Sequence, residues 1–256
     1  MYDYQIDNEL KELKRELDNY RPLPQETANS LKRHLMLVYN QESNAIEGNS
    51  LTIYETKVLL ENGLTAKGKP FKDHLDIINH QKAILFLENL VRQKSILCEK
   101  DILDFHYLLL KGTENSDNAG IYRKAPVTIT GASYQTTPPF LIKKSIEDLL
   151  VWHDEALNQN LNPIIRGAVL HTKFVRIHPF IDGNGRTARL LLNTELLKAG
   201  YPMAIIKKDD RTEYYEALES VGESENFSKI MEFIQKNVKD TINFILNFAR
   251  QINANP

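Results

Sequence analysis

The chain has 256 residues, 42% hydrophobic and 26% charged, with 32 Lys and Arg against 34 Asp and Glu. That length buries a substantial core, and the formal net charge of −2 excludes a broad polyanion-binding surface, which needs a surplus of Lys and Arg. A single cysteine, Cys98, excludes an intrachain disulfide and a cysteine zinc cage, and no apolar run reaches the ~18–20 residues that span a bilayer. The charged N-terminus lacks the apolar stretch of a signal peptide, so the expected location is the cytoplasm, with neither nucleic acid nor membrane as partner.

Most of the chain reads as helix. Leu10, Leu13 and Leu17 lie at helical spacing over residues 7–19, and the segment RPLPQE from Arg21 ends that pattern. Thr27 to about Asn44 is the next helix, with an apolar stripe of Leu31, Leu35 and Val38; Gly48 and Asn49 mark its stop. Thr52 caps another helix, with Glu55 three residues on as in a capping box, ending near Asn62-Gly63. Residues 72–93 form a long helix, and Asp101 opens a short one ending near Gly112. Residues 113–140 change character: Pro126, Gly131, Pro138 and Pro139 surround β-branched Val127, Thr128, Ile129 and Thr130, which predicts a hairpin. Helices return from Lys143, Asn162, about Asn184, Arg211 and Asn226. The expected fold is therefore all-α with one small β-hairpin.

Chemistry concentrates in HPFIDGNGRTAR, His178 to Arg189, between two helical patterns. Gly183 and Gly185 around Asn184 let successive backbone N–H groups face one point, and the following helix adds its own unpaired N–H groups and positive dipole end. Arg186 and Arg189, three apart, bring guanidinium groups suited to phosphate. Asp182 supplies a carboxylate for Mg²⁺, which needs only one or two when phosphates and water complete its shell. His178 is the loop's one group that exchanges a proton near pH 7. Each feature alone is ordinary; their conjunction predicts a Mg-nucleotide, an activated hydroxyl and transfer of a phosphorus-containing group. A zinc site from His171, His178 and Asp182 is weaker, because it leaves the arginines and glycines unexplained.

The same stretch resembles the Fic family signature HPFx[DE]GNGRxxR at every fixed position. The resemblance implies a mainly helical Fic fold and transfer of AMP from ATP to a Ser, Thr or Tyr hydroxyl of a protein. By this resemblance His178 is the general base and Asp182 holds Mg²⁺. Gly183, Asn184 and Gly185 bind phosphates, Arg186 grips the β/γ end and Arg189 positions the γ-phosphate. Thr187 and Ala188 complete the ATP-facing signature, and Phe180 anchors the loop in the core. Kinase-like use of the fold, in the Doc toxin branch, departs from GNGR; this chain keeps it, which favours AMP transfer.

Upstream, SNAIEGN resembles the family's inhibitory motif [ST]xxxE[GN], with Ser43, Glu47 and Gly48 in the matching places. The resemblance implies that Glu47 pairs with Arg189 and keeps ATP out of its productive pose. The hairpin segment resembles the flap that pairs with an extended target strand, with Thr130, Gly131, Ala132 and Ser133 next to ATP. Tyr214 and Tyr215 would flank the adenine, although Gly222 stands where some relatives have an adenine-contacting Asn. The remaining histidines (His34, His74, His80, His106, His153 and the zinc-ligand candidate His171) carry no evident chemistry. The expected organisation is an N-terminal helical region, 1–94, followed by a Fic core, 95–256. A Glu47-dependent hydrolase that removes AMP and a weakly active regulatory binding protein are the alternatives. Self-modification and a homodimer stay open, as does the identity of the target.

Overall fold

A computed structural model describes residues 4–254 apart from 130, 132, 133, 223 and 224, with side chains as far as Gln251. The helices run α1 Asn8–Asn19, α2 Gln25–Ile46, α3 Ile53–Asn62, α4 Phe71–Gln93, α5 Glu99–Leu110, α6 Ile142–Asn158, α7 Pro163–Ile177, α8 Asn184–Lys198, α9 Arg211–Glu219 and α10 Ser228–Ala254. Among the described residues none is long and apolar enough to cross a membrane.

Local chemistry sets several of these limits. Asp7 caps α1 by accepting from Glu9 N, and Asn162 caps α7 by accepting from Ile164 N, with Pro163 at the first helical position. Thr52 and Glu55 make the reciprocal capping box of α3, and Gly63, left-handed at φ 70°, ends that helix. Helix α5 begins two residues before the expected Asp101, which instead serves as the third residue of a capping box with Cys98. Helix α2 starts at Gln25, reaches Ile46, and leaves Glu47 as the first residue beyond it.

Helices α7 and α8 are the centre of the molecule. From Arg186 to Leu196 every residue of α8 is buried, the pattern of a helix enclosed on all sides. One apolar cluster joins them to α1, α9 and α10 through Leu10, Leu17, Tyr214, Leu218, Ile234 and Leu246. The other joins them to α4, α5 and α6 through Ile84, Leu87, Phe105, Leu109 and Ile146. Trp152 packs against both. Two polar residues of α4, Asn79 and His80, are also fully enclosed.

The expected hairpin differs. Among the described residues of 113–140 no strand pairing forms; the segment holds short 3₁₀ turns at Ser116–Asn118 and Pro139–Leu141 around extended backbone. A lone pair of strands is marginal without a third strand or a packed face, and Thr128 and Ala125 here are exposed. The two arms are instead joined by a side chain: Thr136 Oγ1 donates to Val127 O at 2.7 Å.

Candidate active site

The loop between α7 and α8 is built by its own residues. His178 ends α7 in the left-handed conformation (φ 51°, ψ 58°), its N–H closing on Phe174 O at 3.1 Å. A non-glycine residue there costs about 1–2 kcal/mol and points to a functional position. Asn184 staples the loop: Phe180 N donates to Asn184 Oδ1 at 3.0 Å, and Asn184 Nδ2 donates back to Phe180 O at 2.9 Å. Its side chain is thus committed inside the loop. Phe180 is fully buried and stacks on His106, ring centroids 3.6 Å apart.

His106, which carries no evident chemistry in the sequence, is a satisfied core residue that braces this loop. Its Nδ1 accepts from Gly120 N at 3.0 Å, which fixes the proton on Nε2, and Nε2 donates to Asp182 O at 3.0 Å. Burial lowers its pKa to about 4, so it stays a neutral brace. Gly183, left-handed at φ 78°, lies against it; a Cβ there would stand 3.3 Å from the His106 ring. The first intrahelical bond of α8 is Thr187 N to Gly183 O, which leaves the N–H groups of Asn184, Gly185 and Arg186 ahead of it.

A cavity of about 720 Å³ opens over this helix start. The loop and α8 contribute His178, Asn184, Gly185 and Arg189; the end of α2 contributes Glu47. The flap contributes Ile129, Gly131 and Tyr134, and α9 contributes Arg211, Tyr214, Tyr215 and Glu219 among others. A second cavity, about 410 Å³, lies on the far side of α2 with mainly apolar walls and none of these groups.

Burial lowers the pKa of His178, and the Arg123 guanidinium adds to the effect. Burial pushes the Asp182 carboxyl up, but Arg186 and the Gly183 N–H outweigh it and hold the group below its ordinary value. Gly183 N donates to Asp182 Oδ1 at 2.6 Å, and 39% of the Asp182 side chain is exposed. An ionised, half-open carboxylate is a donor that a hard divalent cation accepts. The zinc alternative finds no support: among the described residues no group of three or more His, Cys, Asp or Glu is placed to hold a metal, and His171 Nε2 instead meets Tyr214 Oη at 2.7 Å.

Arg189 is almost fully buried, and the end of α2 surrounds it. Its Nε donates to Ser43 Oγ at 2.9 Å, and its Nη2 donates to Ser43 O at 2.7 Å and to Glu47 Oε1 at 2.8 Å. The Glu47 carboxylate also covers Gly185, where an added Cβ would collide with it. An anion therefore already stands at the positive end of α8. Gly48, at φ 96°, turns the chain out of the helix directly afterwards.

Several expected residues sit elsewhere. Arg186 does not line the cavity; it is buried, with Nη1 2.9 Å from Asp76 Oδ1 of α4 and Nη2 3.4 Å from Asp182 Oδ2. Thr187 and Ala188 are fully enclosed and, like Asp182 and Gly183, absent from the cavity wall. Tyr214 is 1% exposed and packs on Phe233, so it is a wall rather than an open stacking face; Tyr215, 40% exposed, lies on the rim under Arg211. Of the flap residues, Gly131 lines the cavity, while Thr130, Ala132 and Ser133 lie outside the described residues. Arg123 was missed on sequence and ties the flap to the loop: its backbone N donates to Pro179 O, its Nε to His178 O at 2.8 Å and its Nη2 to Thr137 O at 2.5 Å.

The profile of the Fic/DOC family matches residues 96–196. The chain superposes with a TM-score of 0.86 on a Fic domain containing signaling protein from Bacteroides thetaiotaomicron, at 27% identity over 94% of this chain and 97% of that one. The chain belongs to the Fic/DOC family. The solved Fic-1 from Caenorhabditis elegans gives a TM-score of 0.83 at 28% identity, covering 93% of this Fic chain and 71% of that one. In sequence it is 33% identical over 204 residues to the protein adenylyltransferase fic-1 of Caenorhabditis elegans, 78% of this chain. It spans about 40% of the length of that relative.

Proposed function

We propose that the chain is a protein adenylyltransferase held in an inhibited state by the end of α2. The observation that carries this reading is the convergence on one cavity of His178, the open N-terminal turn of α8 and Arg189, with Glu47 bonded to that arginine. ATP would take the cavity with its phosphates against the N–H groups of Asn184, Gly185 and Arg186, and with Arg189 on the terminal phosphate once Glu47 leaves. Its base would lie toward Tyr214, Tyr215 and the flap near Gly131.

The chemistry follows from this placement. The neutral imidazole of His178 accepts the proton of a target Ser, Thr or Tyr hydroxyl. The freed oxygen attacks the α-phosphorus, the bond from that phosphorus to the bridging oxygen breaks, and diphosphate leaves held by α8 and Arg189. Asp182 is the residue that would hold Mg²⁺, which supplies charge neutralisation on the phosphates. Arg186 enters indirectly, by orienting Asp182. The rest is positioning, the dominant need of an in-line phosphorus displacement.

The target is a protein whose extended segment lies along the flap, where exposed backbone is available for added hydrogen bonds; modification of the chain itself is one such case. The division into an N-terminal region, 1–94, that carries the inhibitory residues and a core, 95–256, fits the positions of Glu47 and Asp76 before the matched segment. A cytoplasmic location accords with the single cysteine, Cys98.

The test uses ATP labelled at the α- or the γ-phosphorus, with Glu47→Gly enzyme and a cell lysate. Label transfer to protein from the α-position alone is expected, and none with His178→Ala. Transfer from the γ-position would show a kinase and overturn the reading.

A further inference from the structure

The two arginines of the loop end differently: Arg189 faces the cavity, while Arg186 is drawn away from it into α4. Its guanidinium bridges two carboxylates, Asp76 at 2.9 Å and Asp182 at 3.4 Å. Asp76 and Arg186 are both more than nine-tenths buried, and the Arg186 Nε has no hydrogen-bond partner among the described residues. Lys72, one turn earlier in α4, stands 3.9 Å from the other oxygen of Asp76. Asp76 is 110 residues from Arg186 in the chain and lies outside the segment that the family profile matches.

We propose that Asp76 is a positioning residue of the nucleotide site: it anchors Arg186, and Arg186 in turn aims Asp182 at the metal of the bound nucleotide. The inference rests on the proposed binding of Mg-ATP. A guanidinium holds a carboxylate in a fixed plane when its other edge is itself fixed. Without Asp76, Arg186 can pivot toward Asp182 and close on it as a tighter ion pair, which takes the carboxylate from the cation. Groups that orient metal ligands are worth about 10–100-fold in metal affinity. Helix α4 thereby becomes part of the site.

Helix α4 is well suited to act as such an anchor. Asn79 Nδ2 donates to Leu109 O and Lys111 O at the end of α5, at 3.2 and 2.8 Å. On the α2 side, Asn40 Nδ2 donates to Ile77 O at 3.1 Å. Asp76 therefore projects from a helix tied to α2 and α5 within its next three residues.

The test is titration calorimetry of ATP, with Mg²⁺ and with chelator, on Glu47→Gly enzyme and on the same enzyme carrying Asp76→Asn. The expected result is a loss of about 10-fold or more in affinity for Mg-ATP, with metal-free ATP binding close to the parent and an unchanged melting profile. Asp76→Glu, which keeps the charge on a longer arm, is expected between the two and serves if Asp76→Asn does not fold. Equal affinity for Mg-ATP in parent and variant overturns the inference, and so does an equal loss with and without Mg²⁺, which would mark a merely structural residue. If the parent itself binds no Mg-ATP, the functional reading fails and takes this inference with it.

Discussion

The loop from His178 to Arg189 and the flap from Lys124 to Pro138 face each other across the same cavity, and they are held in opposite ways. The loop is fixed from several sides: Asn184 staples it, His106 supports it from α5, Asp76 anchors it from α4, and Ser43 and Glu47 grip it from α2. The flap is fixed at its root by Arg123 and, among its described residues, joined across by a Thr136–Val127 bond, with Tyr134 resting on Arg176, 4.4 Å from ring centroid to guanidinium carbon. A phosphate cradle gains from rigidity, since charge stabilisation works through groups already in place. A surface for protein segments gains from exposed, lightly held backbone. On the proposed function, the difference would separate chemistry in the loop from target choice in the flap.

The largest effect should come from His178→Ala in Glu47→Gly enzyme: AMP transfer falls by about 10²–10⁴-fold, the usual worth of a general base, while ATP affinity stays near the parent's. Comparable loss of ATP binding would mean that the imidazole holds the loop rather than the proton. Next comes Arg123→Ala, which frees the flap root. It should lower kcat/KM for the protein target by about 10-fold or more through misplacement, with ATP affinity retained. Equal losses in both would remove the separation between loop and flap.

The pH profile gives a third, smaller test. Because burial lowers the pKa of His178, the imidazole stays neutral and competent below the ordinary value of 6.5. The acid limb of kcat/KM should therefore fall below that value, and a limb at or above it contradicts the assignment. The smallest change is expected from Asp73→Ala. The Asp73 carboxylate accepts from Ser50 N at 2.8 Å and Ser50 Oγ at 2.6 Å, pinning the turn just after Glu47 to α4. Its loss should raise basal AMP transfer by about 2- to 10-fold, the equivalent of one ordinary hydrogen bond or so. The same substitution in Glu47→Gly enzyme should change nothing, since the inhibitory carboxylate is already gone.

How much of this was legible in the sequence depended on distance along the chain. The signature His178–Arg189 is local, and its turn glycines, helix start and carboxylate could be read in order. The Thr52–Glu55 cap and the Gly63 stop were readable for the same reason. Asp76 and His106 were not, because a buried acid and a buried histidine on helix patterns look like many others until the fold brings Arg186 and Asp182 to them. The run Val127–Thr130 misled differently. Its β-branched residues favour extended backbone, which the described part adopts, but propensity cannot supply the partner strand that pairing requires. Tyr214 was readable as an aromatic near the site, while its burial against Phe233 and its contact with His171 depend on α10 and α7.

The central claim is that Glu47, by holding Arg189, keeps a complete active site idle. It is tested most directly by measuring the initial rate of AMP incorporation from α-labelled ATP for the wild-type chain and for Glu47→Gly under identical conditions. The account predicts a rise of at least about tenfold, which corresponds to about 1.4 kcal/mol, and its disappearance when His178→Ala is added. Equal rates in wild type and Glu47→Gly would contradict it.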